Sequence, residues 1–114
     1  MKLVPLDQIT LANWLQLVDT SFLVSTDPAP PAELRLVKLN RAAHLASESS
    51  KTAAPKIESF SLIFHGPGNR PLSQKTYRFE HPQLGCFDLF IVPTGLRPEA
   101  WEYEAIFNRL AKPS

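Results

Sequence analysis

Apolar and polar residues alternate through most of the second half of the chain. In IESFSLIFHG, Phe60, Leu62 and Phe64 share one face, with Ser59, Ser61, Ile63 and His65 on the other. TYRFEH sets Tyr77, Phe79 and His81 against Arg78 and Glu80, and CFDLFIV sets Phe87, Leu89 and Ile91 against Phe90 and Val92. In AWEYEAIFNRL, Trp101, Tyr103, Ala105 and Phe107 alternate with Glu102 and Glu104. Period two with aromatic and β-branched enrichment predicts half-buried strands. The stretch 84–92 is apolar on both faces, which predicts a strand placed centrally or beneath a helix.

The first half is less regular. DQITLANWLQLV predicts a helix over 7–18, because Ile9, Ala12, Leu15 and Val18 recur at helical spacing and Leu11 and Trp14 widen the stripe. Asp7 or Thr10 would supply its N-cap. SFLVS (21–25) predicts a short strand, and TDPAPPAE after it a loop. From 33 to 45 the alternation runs through Leu34 and Leu36, then slips to Val37 and Leu39, as a bulge or a short helical finish through Ala42 and Ala43 would produce. Residues 46–56, ASESSKTAAPK, predict a flexible loop, and PGNRPLSQ a turn in which Arg70 is solvated. The eleven prolines read as boundary marks between short strands.

These elements predict a mainly β fold with one N-terminal α-helix. About six antiparallel strands over 21–110 would form a meander curled into a small barrel or a strongly twisted sheet. A length of 114 residues makes this a single domain, 1–114. Twelve basic against eleven acidic side chains leave a net charge of +1, so nucleic acid and anionic membrane surfaces are not expected partners. A single cysteine forbids an internal disulfide. MKLVPLDQIT lacks a signal-peptide apolar run, and no stretch approaches the roughly 20 apolar residues of a membrane span, so a cytoplasmic location is expected.

Candidate chemistry concentrates in EHPQLGC, residues 80–86. Adjacent Glu80 and His81 point to opposite faces of a strand, so the carboxylate cannot orient the imidazole. A Cys86–His81 nucleophilic pair would still need a base and an oxyanion donor that nothing nearby supplies. The preferred reading is structural. Pro82 ends the strand, Gly85 can take a positive φ, and His81 hydrogen-bonds the turn or a cross-strand partner. His44, His65 and His81 lack ligand-like spacing, so no metal is expected, and HGPGNRP lacks the lysine and helix of a phosphate loop. No cofactor and no catalytic residue are expected.

FSLIFHGP (60–67), TYRFEHPQLGCFDLFIVP (76–93) and YEAIFNR (103–109) together resemble a family of small uncharacterised bacterial domains, a domain of unknown function. The resemblance implies no assigned reaction and carries over no catalytic residue. It implies that some members are encoded beside phage-tail-like proteins, and hence a small accessory or assembly role. The expected function is accordingly a non-catalytic interaction or assembly module that binds a protein partner or itself, with an exposed patch around Ile63, Phe90 and Ile106. The alternative is a small hydrophobic-ligand carrier, with a pocket lined by Phe60, Phe64, Tyr77, Phe79 and Trp101. An enzyme using Glu80, His81 or Cys86 ranks last.

Overall fold

The computed structural model describes residues 2–26, 29–41 and 57–110. Six antiparallel strands, β1 (Ser21–Thr26), β2 (Ala29–Arg41), β3 (Ile57–Pro67), β4 (Lys75–His81), β5 (Gly85–Leu96) and β6 (Ala100–Leu110), follow a 3-10 turn (Leu6–Gln8) and one short helix, α1 (Leu11–Gln16). The strands close into a barrel in the order β1-β2-β3-β6-β5-β4. The order is not that of the expected meander. Two three-strand meanders are joined through β3 against β6 and β1 against β4. The connection from β3 to β4 therefore crosses to the opposite wall of the ring.

That crossing seals one end of the barrel. Leu72, in the middle of the connection, is buried, and its N–H donates to Tyr103 Oη at 2.8 Å. Tyr77 Oη donates to Ser73 O, also at 2.8 Å. The buried tyrosines thus hold the connection by their polar tips while their rings remain in the core. The opposite end is sealed by α1. Trp14 is fully buried, with its ring centroid 6.2 Å from Phe22, 5.6 Å from Phe87 and 5.9 Å from Phe107. β5 thus does run beneath the helix.

The helix is shorter than its pattern predicted. Pro5 and Ile9 are extended, and Thr10 rather than Asp7 is the N-cap. Thr10 Oγ1 accepts from Asn13 N–H and Asn13 Oδ1 accepts from Thr10 N–H, a reciprocal capping box that starts the helix late. With this start, Ile9, Trp14 and Leu17 face the core while Ala12 and Leu15 are exposed. The stripe through Ala12 and Leu15 was the wrong one of two overlapping helical periodicities.

Prolines punctuate less than expected. Pro30 and Pro31, predicted in a loop, lie in β2, and Pro93 lies within β5. The β2–β3 ladder starts at Arg35↔His65, so the early part of β2 has no β3 neighbour that would need the missing N–H groups. Arg70 accounts for that edge. It is not a solvated turn residue: its guanidinium donates to Pro30 O at 2.7 Å and Thr26 Oγ1 at 3.0 Å, tying the β1–β2 corner to the β3–β4 connection. At Pro93 the register with β6 shifts before Gly95. The bulge expected after Leu36 is present, as the β2–β3 register skips from Leu36↔Phe64 to Lys38↔Ile63. The proposed helical finish through Ala42 and Ala43, and the loop 46–56, lie outside the described residues. Among the described residues no helix is long and apolar enough to cross a membrane.

Candidate interaction surface

The turn between β4 and β5 is built as a tight reversal. Leu84 N–H donates to His81 O at 3.2 Å, and Gly85 follows with φ +97°. A side chain at Gly85 would be strained by that φ, and its Cβ would meet Lys2 O at 2.9 Å. His81 points inward and is 4% exposed. Its Nδ1 accepts from Gln83 N–H at 3.1 Å, and its Nε2 lies 3.1 Å from Thr20 Oγ1. Both ring nitrogens are therefore engaged in holding the turn and the start of β1. Cys86 pairs with Glu80 across the hairpin and so lies on the opposite face from His81. Its thiol is buried under the N-terminal segment: Cys86 N–H donates to Lys2 O at 3.0 Å and Val4 N–H donates to Cys86 O at 2.7 Å.

That segment fills a seam. β5 pairs with β6 only from Val92↔Glu104 to Leu96↔Trp101, leaving the start of β5 and the end of β6 without each other. Leu3 forms a parallel bridge to Cys86 in the gap, and the 3-10 turn follows. Arg109, from the far side, completes the closure. It donates to Ile9 O at 2.7 Å, to Leu6 O at 3.3 Å and to Glu58 Oε1 at 3.0 Å. Its guanidinium sits 5.3 Å from the Phe60 ring and 5.2 Å from the Phe107 ring, which stack on each other.

Strands β5 and β6 carry three of the six large exposed apolar residues among the described ones, Phe90, Leu96 and Ile106, the others being Leu3, Leu15 and Leu23. Phe90 is 48% exposed and Ile106 is 66% exposed. Ile106 pairs with Ser61, which places Ile63 one pleat away on the same face, and Ile63 is half-buried. Phe90 lies two residues before Val92 on the same outer face of β5, beyond the point where the β5–β6 ladder ends, so the seam separates it from β6. Ile63 and Ile106 are thus neighbours on one outer face, and Phe90 is exposed on the outer face of β5. Beside Ile106, a shallow open groove of about 250 Å³ is lined by Asn40, Ser59, Ser61, Glu104 and Asn108 among others. Ser59 Oγ donates to Asn108 Oδ1 at 2.6 Å along its floor.

Of the expected pocket residues, Phe60 also lines this groove. Phe60, Phe64, Tyr77 and Phe79 are core residues, and Trp101 packs partly buried at the core's edge. Phe64 lies 5.4 Å from Phe79 and 5.6 Å from Phe22, so these rings fill the space between the walls with one another. Among the described residues no group of three or more His, Cys, Asp or Glu is placed to hold a metal ion.

A polar cluster at the tip of the β5–β6 hairpin was not foreseen. Glu102 accepts from Arg97 Nη2 at 3.1 Å and from Thr94 Oγ1 at 2.9 Å, and lies 3.3 Å from His65 Nε2. Its pKa falls from 4.5 to about 2, chiefly because of the Arg97 hydrogen bonds, with Thr94 and His65 adding to them against the cost of burial. The folded carboxylate thus releases its proton more readily than the unfolded one. Its contribution is complete above pH 4.5 and is lost as the pH falls from there towards about 2. Urea unfolding of the wild type and Glu102→Gln should therefore converge across that window, with the variant less stable at pH 6 and the difference shrinking steadily as the pH is lowered towards about 2. The signal in the sequence was only an alternating glutamate, indistinguishable from Glu104 beside it.

No curated protein and no solved structure matches the chain. The model of a domain of unknown function, DUF6916, matches residues 9–107, from the residue that precedes the cap of α1 to the phenylalanine stacked under Arg109, and the chain belongs to that family.

Proposed function

We propose that the domain is a non-catalytic interaction or assembly module that binds a protein partner through the outer face of β3, β5 and β6. The supporting observation is the placement of Phe90 and Ile106. Both are large, apolar and about half exposed or more on a barrel whose other large rings are spent on its interior. Side chains of this kind, ringed by polar groups such as Glu104, Asn108 and Asp88, suit the centre of a binding surface. The family resemblance points the same way, towards an accessory in a phage-tail-like system, and a net charge of +1 favours neither nucleic acid nor an anionic membrane as its target. The hydrophobic-ligand carrier is the lesser reading, since a ligand would have to displace rings that already pack on each other.

Size-exclusion chromatography with light scattering, on the protein alone and mixed with the products of adjacent genes, tests the proposal. A defined complex should form, and Phe90→Lys or Ile106→Lys should weaken it by at least tenfold, as expected for central anchors. Both changes should leave unfolding within about 0.5 kcal/mol of the wild type, because the side chains are exposed. Binding that ignores both substitutions, or a monomer that binds none of the products, would overturn it.

A further inference from the structure

His81 is the buried polar side chain of the described core. Its surroundings select one protonation state. Nδ1 accepts from Gln83 N–H, so the proton sits on Nε2 and is donated to Thr20 Oγ1. The Thr20 hydroxyl in turn donates to Leu17 O at 2.6 Å, at the C-terminal end of α1. A chain of three hydrogen bonds thus runs from the β4–β5 turn, through the imidazole, to the helix that carries Trp14. The imidazole also packs against Phe22, centroid to centroid at 4.6 Å.

A second proton has no place here. On Nδ1 it would oppose the Gln83 N–H, removing one bond and setting donor against donor in a buried site. Among the described residues, the ring's contacts are Gln83, Thr20 and Phe22, and none of these is a carboxylate. The helix sequence LANWLQ contains no ionisable residue, and the ring meets Thr20, just before β1, and Phe22 within it. Asp19 is exposed and paired with Arg35, while Glu80 and Cys86 occupy the opposite face of the hairpin. On the turn itself the neighbour is Gln83.

We propose that His81 is an acid-sensitive latch, whose protonation breaks the link between the β4–β5 turn and α1 and releases the helix from the barrel end. Burial pushes the His81 pKa below its ordinary 6.5. The unfolded or opened state therefore takes up the proton first. The latch is fully effective above pH 6.5 and weakens as the pH falls below it towards the folded-state pKa. One proton taken up on opening multiplies the open population by up to about tenfold per pH unit over that range. What is exposed is the apolar end lined by Phe22, Phe87 and Phe107.

The test is Trp14 fluorescence in a Trp101→Phe background between pH 7.5 and 5, together with the ring proton signals of His81. This window lies above the one in which Glu102 titrates. The emission should shift to the red along the same curve as the His81 ring, with a midpoint below 6.5. His81→Gln should abolish the shift, and His65→Gln should leave it in place. A shift that survives His81→Gln, or a His81 ring that titrates while Trp14 emission stays constant, would overturn the latch. Should His81→Gln fail to fold, the coincidence of the two wild-type curves still decides the matter.

Discussion

Trp14→Ala is expected to lose about 3–5 kcal/mol, the cost of truncating a fully buried large aromatic side chain. A domain of this size has only about 5–15 kcal/mol in total, so the variant should lose a large fraction of its stability and unfold at a much lower urea concentration. Trp14 is 0% exposed and is the plug at the helix end of the barrel, against Phe22, Phe87 and Phe107. Removing it opens a cavity that the strands cannot collapse to fill, since each is held by its ladder. Its indole Nε1–H finds no hydrogen-bond acceptor among the described residues. Trp14→Phe keeps an aromatic plug and removes that orphan donor, whose burial costs about 1–3 kcal/mol. Urea denaturation should therefore place Trp14→Phe much nearer the wild type than Trp14→Ala. Equal losses for the two would mean that the indole N–H is satisfied.

The second large effect concerns Arg109→Met. The substitution keeps an unbranched aliphatic stem but removes every donor that the guanidinium supplies and its cation–π contacts with Phe60 and Phe107. Ile9 O then loses the donor that the guanidinium gave it, at about 1–3 kcal/mol for a part-buried acceptor left unpaired, while Leu6 O keeps the Ile9 N–H at 3.1 Å. A total near 3 kcal/mol is expected, together with faster hydrogen exchange at the Val4 and Cys86 amides as the N-terminal segment lifts from the seam. Glu58→Gln provides the comparison. The pair it breaks is partly solvated, with side-chain exposures of 18% for Arg109 and 23% for Glu58, so its loss should cost no more than about 1 kcal/mol. If Glu58→Gln costs as much as Arg109→Met, the ion pair and not the clamp on the N-terminal carbonyls holds the seam shut.

Much of the barrel could be read from local pattern. The alternation of Phe60, Leu62 and Phe64, of Tyr77, Phe79 and His81, and of Phe87, Leu89 and Ile91 marked the inner face residue by residue, because a strand has no other way to bury one side. The slip at Val37 marked a bulge for the same reason. The helix was legible in existence but not in extent. Ile9–Ala12–Leu15 and Ile9–Trp14–Leu17 overlap in sequence, and the choice between them was made by the Thr10–Asn13 cap.

The surface was legible only as a set of outward positions. That Ile106 and Ile63 are neighbours on one outer face follows from β3 pairing with β6, a ring order carried by no single segment. Arg109, Arg70 and Glu102 gave no signal at all. Each acts on groups far along the chain: Arg109 on Leu6 and Ile9, Arg70 on Thr26 and Pro30, and Glu102 on His65.

What the amino-acid sequence by itself determined is therefore the part governed by short-range chemistry: the strands, their inner faces, the bulge, and the Pro82–Gly85 reversal with its inward histidine. The tertiary structure alone decided the strand order, the crossing of residues 68–74 over the barrel end, the tolerance of proline inside β2 and β5, and the filling of the β5–β6 seam by the N-terminal segment. The physical reason is the range of the forces involved. Side-chain periodicity and turn geometry act within a few residues. Ring closure instead requires unpaired backbone edges to find partners far along the chain, as β1 meets β4 at Leu23↔Glu80 and the N-terminal segment meets β5 at Leu3↔Cys86.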